Sequence, residues 1–269
     1  MFFINFTASN NNDMKNNISQ RYQTILDQIS KKGYVKVREL SEILDVSEVT
    51  IRKDLKRLES RKMLYRNHGS ASGLSPIISD RHIDEKEKVN QKEKLCIAKA
   101  AGELLEDNDK IIIASGTSLL FFADVISDIG KYITVITSSV KVSHSLCYNP
   151  NIEIIQLGGV MRKNSVSVIG HYAENILESL SCNKLFIGVD GIDPDYGLTT
   201  SNMDEARINQ KMIDAAQEII VLTDSSKFGK RGFCKICDID KVHHIITDKN
   251  ASLHMINMIR EREINVTLV

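Results

Sequence analysis

Apolar residues recur every three or four positions in three stretches of the first 60 residues, which predicts three amphipathic helices. The first helix ends at Gly33. Only Asp45 and Val46 separate the second helix from the third, and Ser47 is a natural N-cap because its hydroxyl can accept an unpaired backbone N–H. Two short helices joined by so tight a turn predict a helix-turn-helix. The apolar positions are Ile18, Tyr22, Ile25, Leu26 and Ile29, then Val37, Leu40, Ile43 and Leu44, then Val46, Ile51, Leu55 and Leu58.

A strand is predicted at residues 63–66, just before the turn residues His68 and Gly69. Three helices followed by a strand and a basic turn predict a winged helix, an architecture in which one helix can enter the major groove of DNA. The alternative is an ordinary helical bundle with a solvated charged face.

Charge is unevenly distributed along the chain, and this favours the winged helix. The whole sequence has 35 Lys and Arg against 35 Asp and Glu. Residues 14–70 contain 13 Lys or Arg against 7 Asp or Glu, so this segment carries +6 and the rest carries −6. Contact with DNA phosphates needs such a local cationic surface, which points to double-stranded DNA as a partner. The side chains predicted to contact DNA are Ser47, Val49, Thr50, Arg52, Lys53, Arg57, Arg66 and His68.

Strand-like runs alternate with helical patterns in the remaining, larger part of the chain. This alternation predicts an α/β domain with a mostly parallel sheet. The predicted strands are residues 110–114, 133–137, 152–157, 166–169, 185–189, 219–223, 242–247 and 266–269, and the predicted helices are 96–105, 119–129 and 203–216.

Small and hydroxylated residues follow several of these strands. The carboxyl ends of parallel strands meet at one edge of a sheet, where ligands bind. Backbone N–H groups at a helix N-terminus attract anions, and Lys227 is a candidate counter-charge. Each loop alone is explained by an ordinary helix cap, but several at one edge favour a small anionic ligand. The predicted ligand-binding residues are Ser115, Gly116, Thr117, Ser118, Ser138, Ser139, Gly158, Gly159, Asp190, Gly191, Asp224 and Lys227.

The chain has five cysteines, an odd number, and no recognisable export signal, which indicates a reducing, cytoplasmic environment. Cys234 and Cys237 form a Cys-x-x-Cys pair, but no second pair accompanies it, and His243 and His244 would point to opposite faces of a strand. Coincidence is therefore favoured over a redox or metal role, and no metal, cofactor or catalytic residue is expected. Apolar runs are only strand-sized, so no membrane association is expected.

Both halves of the chain resemble the DeoR family of bacterial transcription regulators. The run Val-Ser-Glu-Val-Thr-Ile-Arg-Lys-Asp-Leu at residues 46–55 carries the resemblance most clearly. Ser70 stands where the family closes its wing with glycine, Ser118 where threonine is usual, and Asn183 where many members have aspartate, a change expected to alter local charge or ligand choice. The other matching stretches are residues 21–33, 58–59, 66–69, 113–117, 135–139, 156–159, 186–193, 197–200 and 224–229.

The resemblance implies a C-terminal sensor domain similar in fold to ribose-5-phosphate isomerase and CoA transferases, which responds to a phosphorylated sugar. Residues 181–186 and 231–237 resemble the branch that regulates the use of N-acetylgalactosamine and related amino sugars. The expected function is therefore a DNA-binding regulator, by family a repressor, of a sugar or amino-sugar operon.

Four segments are expected: a disordered or artefactual start (1–13), a winged helix-turn-helix (14–72), a linker (73–92), and a sugar-phosphate sensor and oligomerisation domain (93–269). One recognition helix reads only a few base pairs, so a homodimer or homotetramer is expected.

The competing function is a sugar-phosphate isomerase or deaminase fused to a DNA-binding head. Acid–base catalysis of that kind would need carboxylates in the larger domain. Surface and helix-capping acids explain the same residues equally well. The candidates are Asp190, Asp193, Asp204, Glu205 and Asp224.

Overall fold

The computed structural model describes residues 9–32, 34–61, 63–67, 69–73 and 80–269. The chain divides into two compact units between residues 76 and 77, and each unit has its own hydrophobic core. Across the described residues, no helix is both long enough and apolar enough to cross a bilayer.

The first unit has an apolar core to which three helices and a small sheet contribute. In its described part the strands pair antiparallel, in the order β1-β3-β2, and β2 and β3 form the wing. The predicted winged helix-turn-helix is confirmed. Its elements are α1 (Ser9–Lys32), β1 (Tyr34–Lys36), α2 (Val37–Leu44), α3 (Glu48–Ser60), β2 (Leu64–Asn67) and β3 (Ser70–Gly73).

Two predictions for this unit differ from the structure. Residues 9–13, expected to be disordered or artefactual, belong to α1, and no glycine or proline interrupts the chain from Ser9 to Lys32. Ile43, expected to face inward, is 45% exposed because Leu40 and Leu44 occupy the core-facing positions of α2.

The second unit is built on a parallel sheet. Within residues 80–269 this sheet has seven strands in the order β15-β14-β12-β9-β4-β5-β6, and every neighbouring pair is parallel. The predicted α/β class is confirmed. The elements are α4 (Ile83–Glu87), α5 (Gln91–Gly102), β4 (Lys110–Ile113), α6 (Thr117–Ile126), β5 (Ile133–Thr137), α7 (Val140–Leu146), β6 (Ile152–Gln156), β7 (Val160–Arg162), β8 (Ser167–Ile169), α8 (His171–Glu178), β9 (Cys182–Ile187), β10 (Gly191–Asp193), β11 (Gly197–Thr200), α9 (Met203–Asp214), β12 (Ala216–Leu222), β13 (Cys234–Cys237), β14 (His244–Thr247), α10 (Leu253–Arg260) and β15 (Asn265–Leu268).

The central strands are apolar on both faces, and this explains their unbroken hydrophobic runs. In β4, Ile112 packs into one apolar cluster while Ile111 and Ile113 pack into the other. In β9, Leu185 and Phe186 divide between the clusters in the same way. Helices cover each face, as a parallel sheet requires.

Some predicted elements have a different place in the fold. Residues 166–169 were expected to join the parallel sheet, but β8 pairs antiparallel with β7 in a separate two-stranded sheet. A further small sheet contains β10, β11 and β13, so the Cys-x-x-Cys pair lies on a strand of that sheet. β7 and β10, which were not predicted from the sequence, are only three residues long, too short to show a periodic pattern in the sequence.

Residues 80–94, named here the leading segment, pack on the second unit, although residues 73–92 were expected to be a linker. They include α4 and the start of α5. Ile83 is buried, and its backbone N–H donates to the carbonyl of Asn164 at 2.7 Å. Charged side chains of the segment form ion pairs with the body of the unit.

Candidate ligand-binding edge and nucleic-acid interface

Helix α3 has the two faces that its sequence predicts. The hydroxyl of Ser47 caps the helix by accepting the N–H of Thr50 at 3.3 Å. Thr50 is half-buried, and Val49 is 59% exposed beside the cap. Ile51 and Leu55 are fully buried on the opposite face. The remaining predicted contact residues of the helix, Arg52, Lys53 and Arg57, are exposed.

Arg52 is held on the surface of α3 by a neighbour one turn away. Its Nη2 lies 2.5 Å from Oε2 of Glu48, and both side chains are exposed. An exposed ion pair of this kind contributes little stability. The guanidinium can therefore exchange Glu48 for a base or phosphate at low cost.

A buried ion pair, missed from the sequence, fixes α1 against α3. Arg21 donates to both oxygens of Asp54, with Nε 2.5 Å from Oδ2 and Nη2 3.1 Å from Oδ1. Asp54 is only 2% exposed, and this contact raises the pKa of Arg21. The available signal was position, because Asp54 falls on the same helical face as Ile51, Leu55 and Leu58.

A tight turn at Gly69 leads into β3 of the wing. Gly69 has a φ of 77°, a left-handed conformation that favours glycine, and its carbonyl accepts the N–H of Val37 at 3.0 Å. Ser70 is buried and already paired in β3, so a second glycine is not required there. Arg66 is exposed, with its Nε 3.8 Å from Oε2 of Glu59. His68, also predicted to contact DNA, lies outside the described residues.

The predicted ligand-binding residues follow five adjacent strands, β12, β9, β4, β5 and β6, at their carboxyl ends. Gly188 shows how closely the central loops approach. A methyl group added at Gly188 would lie 3.9 Å from the carbonyl oxygen of Ser115 and 4.0 Å from that of Leu222. The loops after β4, β9 and β12 therefore meet at this glycine.

The loop after β4 leads directly into helix α6. Gly116 is its N-cap, and the φ of 142° is one that other residues rarely adopt. Thr117 and Ser118 form the first turn and are 9% and 8% exposed. Ser115 is half-buried at the end of the strand. This turn has the unpaired N–H groups and small residues that an anion requires.

The loops after β5 and β6 contain residues with structural roles. Ser138 and Ser139 are each 1% exposed, and the Ser139 hydroxyl caps α7 by accepting the N–H of Val142 at 3.3 Å. Gly159 lies against β8, because an added methyl group would lie 2.7 Å from the carbonyl oxygen of Ile169. Gly158 is exposed. Close packing thus accounts for Ser139 and Gly159 without a ligand.

Asp190 is a buried carboxylate with several donors. Nζ of Lys86 lies 2.9 Å from Oδ1, and Ser201 donates its N–H at 3.0 Å and its hydroxyl at 2.8 Å to Oδ2. Burial opposes ionisation, but the charges of Lys86 and Lys227 and the donors outweigh it and hold the pKa of Asp190 below its usual value. The next residue, Gly191, is buried at the start of β10.

Asp224 and Lys227 lie on the loop after β12. Asp224 caps the short 3-10 turn Ser225–Lys227 and accepts the side-chain amide of Asn90 at 2.9 Å. Burial raises the pKa of Asp224, but the hydrogen bonds and the charge of Lys227 outweigh it, so the pKa is lowered. Burial lowers the pKa of Lys227, against the charges of Asp190 and Asp224. Within the described residues the Lys227 ammonium forms no ion pair shorter than 4.0 Å, so it can accept an anion.

The leading segment brings cations that sequence reasoning missed. Lys94 is 3% exposed, and its Nζ donates to the carbonyls of Lys86 and Val89 at 2.6 Å each. Burial lowers the pKa of Lys94 to about 8. The signal was periodicity, since Lys94 shares a helical face with Ile97 and Ala101 in α5.

The other carboxylates considered for catalysis have structural partners. Asp193 is 1% exposed and accepts the N–H groups of Asp195 and Tyr196 at 2.9 and 3.0 Å. Glu205 pairs with Arg162 at 2.9 Å, and Asp204 is exposed. These contacts account for both buried acids without catalysis.

Asn183 and the Cys-x-x-Cys pair gain no ligand-binding role from the structure. Asn183 accepts the backbone N–H of Lys110 at 2.8 Å, where both strands begin, so its expected effect on ligand choice has no structural support. Burial raises the pKa of the Cys237 thiol to about 12, which makes a reactive thiolate there unfavourable. Across the part of the chain that the structure describes, no group of three or more His, Cys, Asp or Glu residues could hold a metal ion.

Comparisons with known proteins match both units. A DeoR-like helix-turn-helix domain matches residues 21–76, and the DeoR C terminal sensor domain matches residues 89–249. The chain is 34% identical over 252 residues to an HTH-type transcriptional regulator of Bacillus subtilis, YulB, covering 94% of this chain and 97% of that protein. It is 34% identical to a putative aga operon transcriptional repressor of Escherichia coli O157:H7, covering 93% and 94%.

A lactose phosphotransferase system repressor of Staphylococcus epidermidis is 31% identical over 86% of this chain and 92% of that protein. Among solved structures, ribose 5-phosphate isomerase A from Neisseria gonorrhoeae is similar over 55% of this chain and 56% of that chain, with 18% identity and a TM-score of 0.37. A likeness this distant carries no argument about function.

Proposed function

The chain belongs to the DeoR family of transcription regulators, and on that premise we propose that it represses a sugar or amino-sugar catabolic operon and leaves its operator when a phosphorylated sugar binds. Relatives named as the aga operon repressor and the lactose phosphotransferase system repressor support the class of operon. The proposal places the protein in the cytoplasm, with operator DNA and the sugar phosphate as partners.

The DNA side of the proposal rests on α3 and the wing. α3 has exposed cations on one face and buried apolar residues on the other. Its first two turns hold Val49, Thr50 and Arg52, and the N-terminal residues of a recognition helix contact base edges. Two such heads on one operator require a homodimer or homotetramer, which forms part of the proposal.

The effector side rests on one observation, the half-buried Lys227 ammonium at the carboxyl edge of the sheet, which has no ion-pair partner within 4.0 Å among the described residues. The same edge has the N-terminus of α6, with Thr117 and Ser118 in its first turn. A phosphate dianion satisfies both features, since it binds ammonium groups and helix N-termini. In this proposal Asp190, Asp224 and the hydroxyls of Thr117 and Ser118 supply polar groups that bind the hydroxyls of a sugar.

A mobility-shift titration tests the proposal. Full-length protein is first used to select a duplex from a random-sequence library. That duplex is then titrated in the presence of fructose 6-phosphate, glucosamine 6-phosphate or galactosamine 6-phosphate, with inorganic phosphate as the reference. We expect at least one sugar phosphate to weaken binding by about 5–150-fold, the usual range of allosteric coupling.

The same mixtures distinguish a regulator from the competing enzyme. Each sugar phosphate is recovered after incubation and examined for isomerisation or deamination. We expect each sugar phosphate to be recovered chemically unchanged. Turnover at the concentration that causes release would favour the enzyme, and an unchanged operator affinity with every compound would overturn the proposed effector class.

A further inference from the structure

The leading segment is held to the second unit by two groups of contacts. The first group joins the segment to β7 and to the first turn of α7. Asp80 pairs with Arg162, and Nζ of Lys141 lies 2.6 Å from Oδ1 of Asp84 and 3.2 Å from Oε2 of Glu87. These contacts anchor the segment through side chains that are not among the predicted ligand-binding residues.

The second group reaches the ligand-binding loops themselves. Lys86 pairs with Asp190 after β9, and Asn90 donates to Asp224 after β12, each at 2.9 Å. Both acceptors are predicted ligand-binding residues. The segment that leads from the DNA-binding unit into the second unit therefore contacts two loops of the proposed effector site.

Lys94 holds the backbone between these contacts in one conformation. Its buried ammonium donates to the carbonyl of Lys86 in α4 and to that of Val89 in the turn between α4 and α5. Asn90 in that turn has a left-handed φ of 53°. A displacement of Lys86 is thus passed to the turn and to Asn90 instead of being absorbed by a loose loop.

Lys86 is the member of its ion pair that is able to change partner. Asp190 accepts hydrogen bonds from Ser201 and Thr200 as well as from Lys86. The Lys86 ammonium, by contrast, has Asp190 as its one acceptor among the described residues. The Lys86 side chain is 22% exposed against 9% for Asp190. An anion near Lys227 is repelled by the Asp190 carboxylate and attracts the Lys86 ammonium.

We infer that Lys86 and Asn90 couple the two functions: an anionic ligand draws Lys86 away from Asp190, and the leading segment moves with it. The inference rests on the proposed function and adds the regulation of that site. Linkage requires the ligand to bind the two arrangements of the segment unequally, and the exchange of partners at Lys86 supplies that difference.

The decisive variant is Lys86→Met in the full-length protein. Operator affinity is measured by fluorescence anisotropy with and without the sugar phosphate that releases the wild type. Ligand affinity is measured by calorimetry with and without the operator, because coupling between two ligands is reciprocal. We expect both ratios to fall to within about twofold of one, below the usual coupling range of about 5–150-fold.

Lys184→Met is the matched control. Lys184 also pairs with a buried aspartate, Asp109, at 2.7 Å, with side-chain exposures of 12% and 7%. This pair joins the amino ends of β4 and β9, away from the leading segment. The control is expected to lose a similar ion pair yet keep the wild-type ratios.

The outcomes separate the two levels of the proposal. A wild-type protein that ignores every sugar phosphate overturns the proposed effector and this inference together. A wild type that responds, with Lys86→Met responding equally, overturns this inference alone.

Hydrogen exchange of the wild type gives a second readout if Lys86→Met does not fold. Ligand is expected to change amide exchange across residues 80–94, including the Ile83 N–H bonded to Asn164. Unchanged exchange in that segment, at a ligand concentration that releases the operator, overturns the inference.

Discussion

The outer face of α3 and the carboxyl edge of the parallel sheet both present charged side chains, but they hold those charges differently. Arg52 and Glu48 on α3 are 56% and 41% exposed, whereas Lys86 and Asp190 at the edge are 22% and 9% exposed. Exposed pairs exchange with water and ions at little cost, and buried pairs do not. This difference fits the two proposed ligands. DNA would bind a face whose charges are already solvated, whereas a metabolite would have to replace the existing partners of buried charges.

The largest effect expected concerns the one buried pair described in the DNA-binding unit. Arg21→Ala would leave the Asp54 carboxylate buried without its guanidinium, and we expect the free energy of unfolding of that unit to fall by about 3–5 kcal/mol. Urea denaturation followed by circular dichroism measures the change. Arg38→Ala, which removes an exposed pair with Glu42, is the control and should change stability little. Equal losses in the two variants would contradict the contrast between buried and exposed charges.

At the ligand edge, Lys227→Ala should leave operator binding intact and weaken release by the sugar phosphate. Charge-assisted hydrogen bonds contribute about 1.5–3 kcal/mol, so the concentration needed for release should rise by about 10–150-fold. The mobility-shift titration described above measures it. Thr117→Ala should act in the same direction with a smaller effect. Lys211→Ala, on the exposed surface of α9, serves as the control. Release of Lys227→Ala at the wild-type concentration would exclude Lys227 as a ligand contact.

On the exposed face, Arg52→Ala should reduce discrimination between the selected operator and a scrambled duplex by about 1–3 kcal/mol. Loss of a base-reading arginine removes specificity, whereas loss of a phosphate contact mainly lowers the salt dependence of binding. Competition between the two duplexes at several salt concentrations separates these effects. If discrimination stays at the wild-type value, Arg52 does not read bases.

The smallest effect expected is a pH dependence from Lys94. Its pKa in the folded protein is lowered to about 8, so the unfolded chain holds more protons between about pH 8 and 10.5 and stability rises with pH across that window. Relative to Lys94→Met, the wild type should gain about 1 kcal/mol in free energy of unfolding from pH 8 to pH 9. Urea midpoints of both proteins at the two pH values give the comparison. A stability difference that is independent of pH would show that burial does not shift this lysine.

Long periodic stretches of the sequence predicted their elements well, and short ones did not. The five-residue run of β5 and the amphipathic face of α3 each extend over enough residues to show a pattern. The three-residue strands β7 and β10 have no period to detect. Most of the leading segment was predicted to be a linker. Its packing on the second unit could not be predicted, because its charged residues pair with distant ones, as Lys86 does with Asp190, 104 residues away.

Local patterns by themselves determined the two kinds of domain, the recognition helix and the positions of the loops that end the parallel strands, because each depends on neighbours within a few residues. Which polar groups meet depends on how elements distant in the sequence pack together. Ser139 became a helix cap, Asp54 the partner of Arg21, and Lys86 a contact of Asp190 at the carboxyl edge of the sheet. The packing of elements far apart in the chain determines the partner of a buried charge, and a local sequence pattern carries no information about that packing.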